Sequence, residues 1–183
     1  MATQRGEGIA LLRSAQNPAT PAAIDALSKL VNGVYRQAEA GIWVAGYERT
    51  SSEEIRRLWL RDELILAQKD NGLIGCIHVA HHHEDTAVFG MLVTASASRG
   101  QAVGTRLLDA AEQRGRDLNC NLMRLELLTP RLFRHPVKAF LSQWYERVGY
   151  HRVEHAAFEE KYPHLAADLA TPCDFIVYTK SLR

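Results

Sequence analysis

The sequence predicts an α/β (α+β) fold: a single domain over residues 1–183, with a mixed, mostly antiparallel sheet of about seven strands and about four helices. Three observations carry that expectation. Short apolar runs and helical repeats alternate in the order β-α-α-β-β-β-α-β-α-β-β. Asn71-Gly72 and the polar stretch His81–Asp85 separate three consecutive apolar runs with no room for a helix, so those runs pair as hairpins. Finally, TAVFGMLVT, an amphipathic helix and NLMRLELL form a strand–helix–strand unit. Such a unit closes as a right-handed crossover, which makes its two strands parallel.

In chain order, Ile9–Ala15 reads as the first strand. Thr20 and Pro21 have the form of a helix N-cap followed by proline at the first helical position. Ile24, Leu27, Leu30, Val31 and Val34 recur at helical spacing, giving a helix to about Ala38. GIWVAGYERT is an aromatic-bearing loop, and Ser51-x-x-Glu54 is a capping-box pattern before a short helix with Ile55, Leu58 and Trp59. LILAQK and LIGCIHVA flank a turn at Asn71-Gly72, which suits positive φ, and HHHED is read as a second polar turn. A helix over about Val103–Leu118 buries Leu107, Leu108, Ala111 and Leu118. After the strand NLMRLELL comes the loop TPRLFRHP, then the helix KAFLSQWYERVG with Gly149 as its C-cap. HRVEHAAF and DFIVYTK are the last strands, joined by a loop containing YPHLAADLATP.

Composition narrows the function. The chain has 183 residues, is 46% apolar and 23% charged, and carries a formal net charge of +1. A near-neutral total gives no support to nucleic-acid or membrane-surface binding. Cys76, Cys120 and Cys173 are odd in number and widely spaced, which points away from a disulfide scaffold or a zinc site. MATQRGEGIALLRSAQ lacks the apolar core of a signal peptide, so a reducing cytoplasm is the expected compartment. His81, His82 and His83 diverge along the backbone and are expected to be solvated, and no metal is expected.

The segment SASRGQAVGTRLL joins the strand Thr86–Thr94 to its helix through a turn with little side-chain bulk. Helix N-termini present free N–H groups and partial positive charge, and small residues let an anion reach them. The dinucleotide pattern G-x-G-x-x-G is absent, and the P-loop spacing and lysine are absent too. Arg99-Gly100-Gln101-Ala102-Val103-Gly104 fits a third phosphate turn, R/Q-x-x-G/A-x-G/A. The bland alternative is a strand-to-helix connection whose glycines only ease the path of the chain.

With that turn, LMRLELL and FLSQWYERVGY following in order, nearly the whole chain resembles the GCN5-related N-acetyltransferase (GNAT) family. The resemblance implies a central parallel strand pair splayed to hold acyl-CoA. It also implies acetyl transfer from acetyl-CoA to a primary amine by direct attack. Met91, Leu92 and Val93 would pair with the pantetheine arm, and Arg99, Gly100, Gln101, Ala102, Val103, Gly104 and Thr105 would hold the pyrophosphate. Arg106 is a further phosphate candidate, and a backbone N–H near Leu92 would serve the thioester oxygen. Ala102 stands where the family usually has glycine; its methyl fits if φ is negative.

Two side chains are the expected proton carriers. Glu126 matches a strand glutamate that acts as base in some members; the alternative is a structural ion pair with Arg124. Tyr145 matches the tyrosine that hydrogen-bonds the CoA sulfur; the alternative is a packed core tyrosine. Cys120 is read as a packing residue. Trp43, Tyr47 and His135 are the candidate acceptor contacts, whereas Trp59 is assigned to packing. A small-molecule amine is the expected acceptor, with a protein N-terminus or lysine as the alternative, acting as monomer or homodimer. The rival functions are a catalytically silent acyl-CoA sensor and a phosphate-binding protein unrelated to CoA.

Overall fold

The computed structural model describes residues 8–183. The part of the leader-free N-terminal reading that falls on residues 1–7 lies outside the described residues. Seven strands form one sheet in the order β1-β2-β3-β4-β5-β7-β6. They are β1 (Ala10–Arg13), β2 (Leu64–Lys69), β3 (Gly72–His83), β4 (Thr86–Thr94), β5 (Leu122–Pro130), β6 (His151–Ala157) and β7 (Cys173–Ser181). Only β4 and β5 run parallel. The mixed, mostly antiparallel sheet predicted from the pattern is therefore observed.

Helices α1 (Pro21–Ala38) and α2 (Ser52–Leu60) cover one face, and α3 (Val103–Asp117) and α4 (Pro136–Arg147) the other. Strand alternation explains the division. Leu64 and Leu66 of β2 pack with Ile24, Leu27 and Val31 of α1, whereas Ile65 and Ala67 pack with Leu107, Leu108 and Ala111 of α3. Both helix starts on the first face are capped as predicted. Thr20 Oγ1 accepts from the Ala23 amide and Ser51 Oγ from the Glu54 amide. Only half of the predicted capping box forms, because the Glu54 carboxylate accepts from the Thr50 hydroxyl instead.

Three local expectations are corrected. Lys69 pairs with Gly72, so the two-residue loop is Asp70-Asn71, with φ of 50° and 63°, one residue earlier than expected. His81–His83 extend β3, and the turn falls at Glu84-Asp85, because His83 still pairs with Thr86. Phe158 leaves the last predicted strand segment to begin a one-turn helix, α5 (Phe158–Lys161), followed by a 3-10 stretch over Pro163–Asp168. Its ring is buried against Trp43, Tyr162 and Phe175, which draws the supposed loop onto the sheet.

The feature that positions the site is the parting of β4 from β5. Their register holds only from Thr86↔Leu122 to Val88↔Arg124. Beyond it β4 stays with β3 and β5 with β7. A bulge in β4 marks the divergence: Cys76 faces Val93 while His78 faces Gly90, so β4 carries one extra residue, and Met91 adopts φ 50°. A bulge bends its strand and adds twist, which turns β4 away from its neighbour.

Candidate functional site

A cavity of about 890 Å³ opens where β4 leaves β5. Leu92 and Thr94 of β4 line it, with Lys29, Gly33 and Gln37 of α1 on one side and Phe140, Leu141 and Trp144 of α4 on the other. Beyond Val88 no strand pairs with β4 on its β5 side. That backbone edge is free to accept an extended chain as an added strand. Met91 and Val93 turn their side chains into the core beneath α1 and α2, so of the three residues expected here only Leu92 lines the cavity.

The cavity ends on the turn into α3. Gly100 has φ 79°, and a Cβ built on it meets nothing within 4 Å. Among the described residues, the amides of Gly100, Ala102, Val103, Gly104 and Thr105 have no backbone acceptor; the first helical bond is Arg106 N–H to Ala102 O. No side chain caps this helix and no acidic residue lies in its first turn. Open N–H groups, the positive end of the helix dipole and Arg99 in the wall suit a phosphate group. The Gln101 amide is already used, donating to Ser98 O at 3.3 Å. Arg106 donates to Ile9 O at 2.7 Å and does not line the cavity.

Ala102 corrects a further expectation. Its φ is 54°, in the left-handed region, where the expected fit of a methyl required a negative φ. A non-glycine residue there costs roughly 1–2 kcal/mol, while glycine costs more entropy on folding. Ala102→Gly is therefore expected to stabilise the fold by up to about 1 kcal/mol in urea denaturation. A clear loss of stability would contradict the left-handed conformation.

Tyr145 is buried in the core near the divergence and, unlike its neighbours Leu141 and Trp144, does not line the cavity. Its ring lies 5.9 Å from that of Phe89, the residue after the last β4–β5 pair, and packs on Tyr150 and Tyr178. The adjoining hydroxyls are turned elsewhere, Tyr150 donating to Glu112 and Tyr178 to Ser142, so neither engages the Tyr145 hydroxyl. Burial, reinforced by Tyr35 and Tyr178, pushes it well above the ordinary phenol range, so it stays protonated. Burial likewise pushes the Cys76 thiol up to about 12 and raises that of Cys120, which leaves neither as a ready nucleophile.

Glu126 lies on the opposite face of the sheet, held by three donors. Arg124 donates to Oε1 at 2.7 Å and Tyr162 to Oε2 at 2.9 Å, and Lys161 also donates to Oε1. Burial pushes the carboxyl up, but the hydrogen bonds from Lys161, Arg124 and Tyr162 outweigh it and hold the group below its usual value. A depressed carboxyl adds stability that is present above its unfolded pKa and is lost as pH falls through the folded value. Glu126→Gln should accordingly flatten the acid limb of a stability–pH curve below about pH 5.

Of the acceptor candidates, Trp43 and Tyr47 come together and His135 does not join them. The Trp43 and Tyr47 rings stack at 4.0 Å and 6° and wall a second cavity of about 270 Å³. That cavity also takes in Asn32, Tyr35, Glu39 and Arg49. His135 is buried at the start of α4, its Nδ1 without a partner, beside a separate hollow near Arg134. Trp59 packs between α1 and α2 and donates to Asn17 O at 3.1 Å, and Cys120 is buried in the core.

The residues that tie these parts together had no signature in the sequence. Lys138 of α4 donates to Glu39 at the end of α1, and both side chains are 6% exposed. This buried pair clamps the helices forming two walls of the main cavity. Lys138→Met would strand the Glu39 charge, at an expected cost of about 3–5 kcal/mol in unfolding free energy.

The family model for the acetyltransferase (GNAT) domain matches residues 60–152, which contain the bulge, the phosphate turn and Tyr145. The chain belongs to the GNAT acetyltransferase family. Among curated proteins no relative matches by sequence. Solved structures share the GNAT fold at low identity. An aminoglycoside 6′-N-acetyltransferase with coenzyme A superimposes at TM-score 0.70 and 18% identity, covering 95% of this chain and 97% of that one. The PaiA N-acetyltransferase of Thermoplasma acidophilum, also with coenzyme A, gives 0.68 and 16%, covering 95% and 99%. A GNAT acetyltransferase of Staphylococcus aureus gives 0.64 and 14%, covering 96% and 100%. Among the described residues of this GNAT chain, no cluster of three or more His, Cys, Asp or Glu is arranged for a metal.

Proposed function

We propose that residues 1–183 act as one N-acetyltransferase domain that moves an acetyl group from acetyl-CoA to the primary amine of a small molecule. The observation that carries this reading is the single cavity joining the free β4 edge to the uncapped start of α3. The open amides of Gly100 and Ala102–Thr105 hold the diphosphate, and Arg99 adds charge. Leu92 and its neighbours on β4 offer main-chain hydrogen bonds to the pantetheine arm. When bound, acetyl-CoA supplies an activated thioester.

In the transfer a C–N bond forms as the C–S bond breaks. A backbone N–H near Leu92, fixed by the bulge, donates to the acyl oxygen as charge develops there. Tyr145 donates its hydroxyl proton to the departing sulfur. Glu126, ionised at neutral pH, takes the proton released from the amine, through Tyr162 or water. Glu126→Gln then lowers kcat wherever the wild-type carboxyl is ionised; a variant that loses stability alone leaves Glu126 as an ion-pair partner. The cavity of about 270 Å³ beside the Trp43–Tyr47 stack receives the acceptor, and its size suits a small amine.

The test is a screen of primary amines that follows release of free thiol. It is run once thermal stabilisation by acetyl-CoA, and not by ATP, has been measured. Thiol release with at least one small amine is the expected result. Stabilisation by acetyl-CoA with no release across the panel would favour a silent acyl-CoA sensor.

A further inference from the structure

We infer that the acceptor amine carries a carboxylate, and that the guanidinium of Arg49 binds it. This inference rests on the reading that the cavity beside Trp43 and Tyr47 receives the acceptor. Arg49 lines that cavity, as does Arg36. Among the described residues no carboxylate forms an ion pair with Arg49. The two nearby acids are engaged elsewhere: Glu39 by Lys138 and the Trp43 indole, and Glu54 by the Thr50 hydroxyl. The guanidinium is permanently charged, and with neither acid in ion-pair contact its planar fork is open to a ligand carboxylate.

The arginine is also held ready. Its guanidinium carbon lies 5.2 Å from the centre of the Tyr35 ring. The adjoining residue, Thr50, is pinned at both backbone groups by the buried Asn32 side chain, with Nδ2 donating to Thr50 O at 2.9 Å and Oδ1 accepting from Thr50 N at 3.0 Å. A fixed fork loses little freedom when it meets a planar carboxylate. The stacked rings of Trp43 and Tyr47 supply an apolar wall for the body of the ligand. This cavity and the main one lie along adjoining residues of α1: Asn32, Tyr35, Arg36 and Glu39 line the one, and Gly33, Val34, Gln37 and Ala38 the other. A ligand with its carboxylate on Arg49 is therefore held beside the main cavity, with its amine free to reach toward it.

Matched amines test the assignment: phenylalanine, phenylalanine amide and phenethylamine, together with 4-aminobutyrate, its amide and phosphoethanolamine. In the wild-type protein kcat/KM for the better amino acid should exceed that of its amide by about ten- to a hundredfold. In Arg49→Gln that ratio should fall to within about threefold of one, and Arg49→Lys should keep part of it. A wild-type ratio of one or below, a ratio unchanged in Arg49→Gln, or preference for phosphoethanolamine would overturn the inference. Should Arg49→Gln show no cooperative melting transition, and so no fold, the Arg49→Lys ratio decides in its place. If no amine releases thiol, the proposed transfer fails, and equilibrium titration of the same compounds into CoA-saturated protein decides the carboxylate question separately. Binding of the amino acids over their amides, weakened at least tenfold in the folded Arg49 variant, supports the inference, and no such preference overturns it.

Discussion

Gly104→Leu is expected to weaken acetyl-CoA binding by about a hundredfold while leaving thermal stability equal or higher. The two effects part because they arise in different places. Gly104 lies in the first turn of α3, where leucine is a better helix former than glycine by up to about 1 kcal/mol. A Cβ there meets only Thr94 Cγ2, at 3.9 Å, so the fold itself tolerates a side chain. The same side chain projects into the cavity at the open amides and holds an anion away from them. Each charge-assisted hydrogen bond is worth roughly 1.5–3 kcal/mol, so losing one or two accounts for the expected fall. Isothermal titration with acetyl-CoA beside a melting curve reads both quantities. Unchanged affinity in the folded variant would move the diphosphate site elsewhere.

Tyr145→Phe is the second large effect. Turnover should drop about 100- to 10,000-fold, the range of general-acid catalysis, while affinity for acetyl-CoA shifts little. Phenylalanine fills the same aromatic nest formed by Phe89, Tyr150 and Tyr178, so packing survives the change. The neighbouring Tyr150 and Tyr178 hydroxyls bond Glu112 and Ser142, so removing the Tyr145 hydroxyl strands neither of them. What is lost is a proton donor that burial keeps protonated well above neutral pH. Single-turnover measurement of thiol release separates this chemistry from product release. Unchanged turnover would make Tyr145 a packing residue.

The order of strands and helices was legible because apolar periodicity switches between two and about 3.6 along this chain, as in LILAQK against the α3 repeat Leu107, Leu108, Ala111. The bare turn into α3 was legible for the same local reason, since small residues and a helix start are contiguous. What depends on distant partners was not. The bulge turns on Met91 at positive φ, and methionine gives no hint of it. Glu126 meets Lys161 and Tyr162 across 35 and 36 residues, in a stretch whose mixed composition reads as a loop. Asn32 pins Thr50, the residue after Arg49, across 18 residues of sequence. Trp43 and Tyr47, named from the sequence, do meet in one cavity, but the arginine and the buried pair beside them emerge only in the fold.

A crystal grown with coenzyme A gives the most direct answer. The diphosphate oxygens are expected at about 2.7–3.2 Å from amides at Gly100 and Ala102–Thr105, with the pantetheine chain laid along β4 at Leu92. A cofactor seated away from the α3 start, or a full-length ligand that leaves those amides to solvent, would contradict the account.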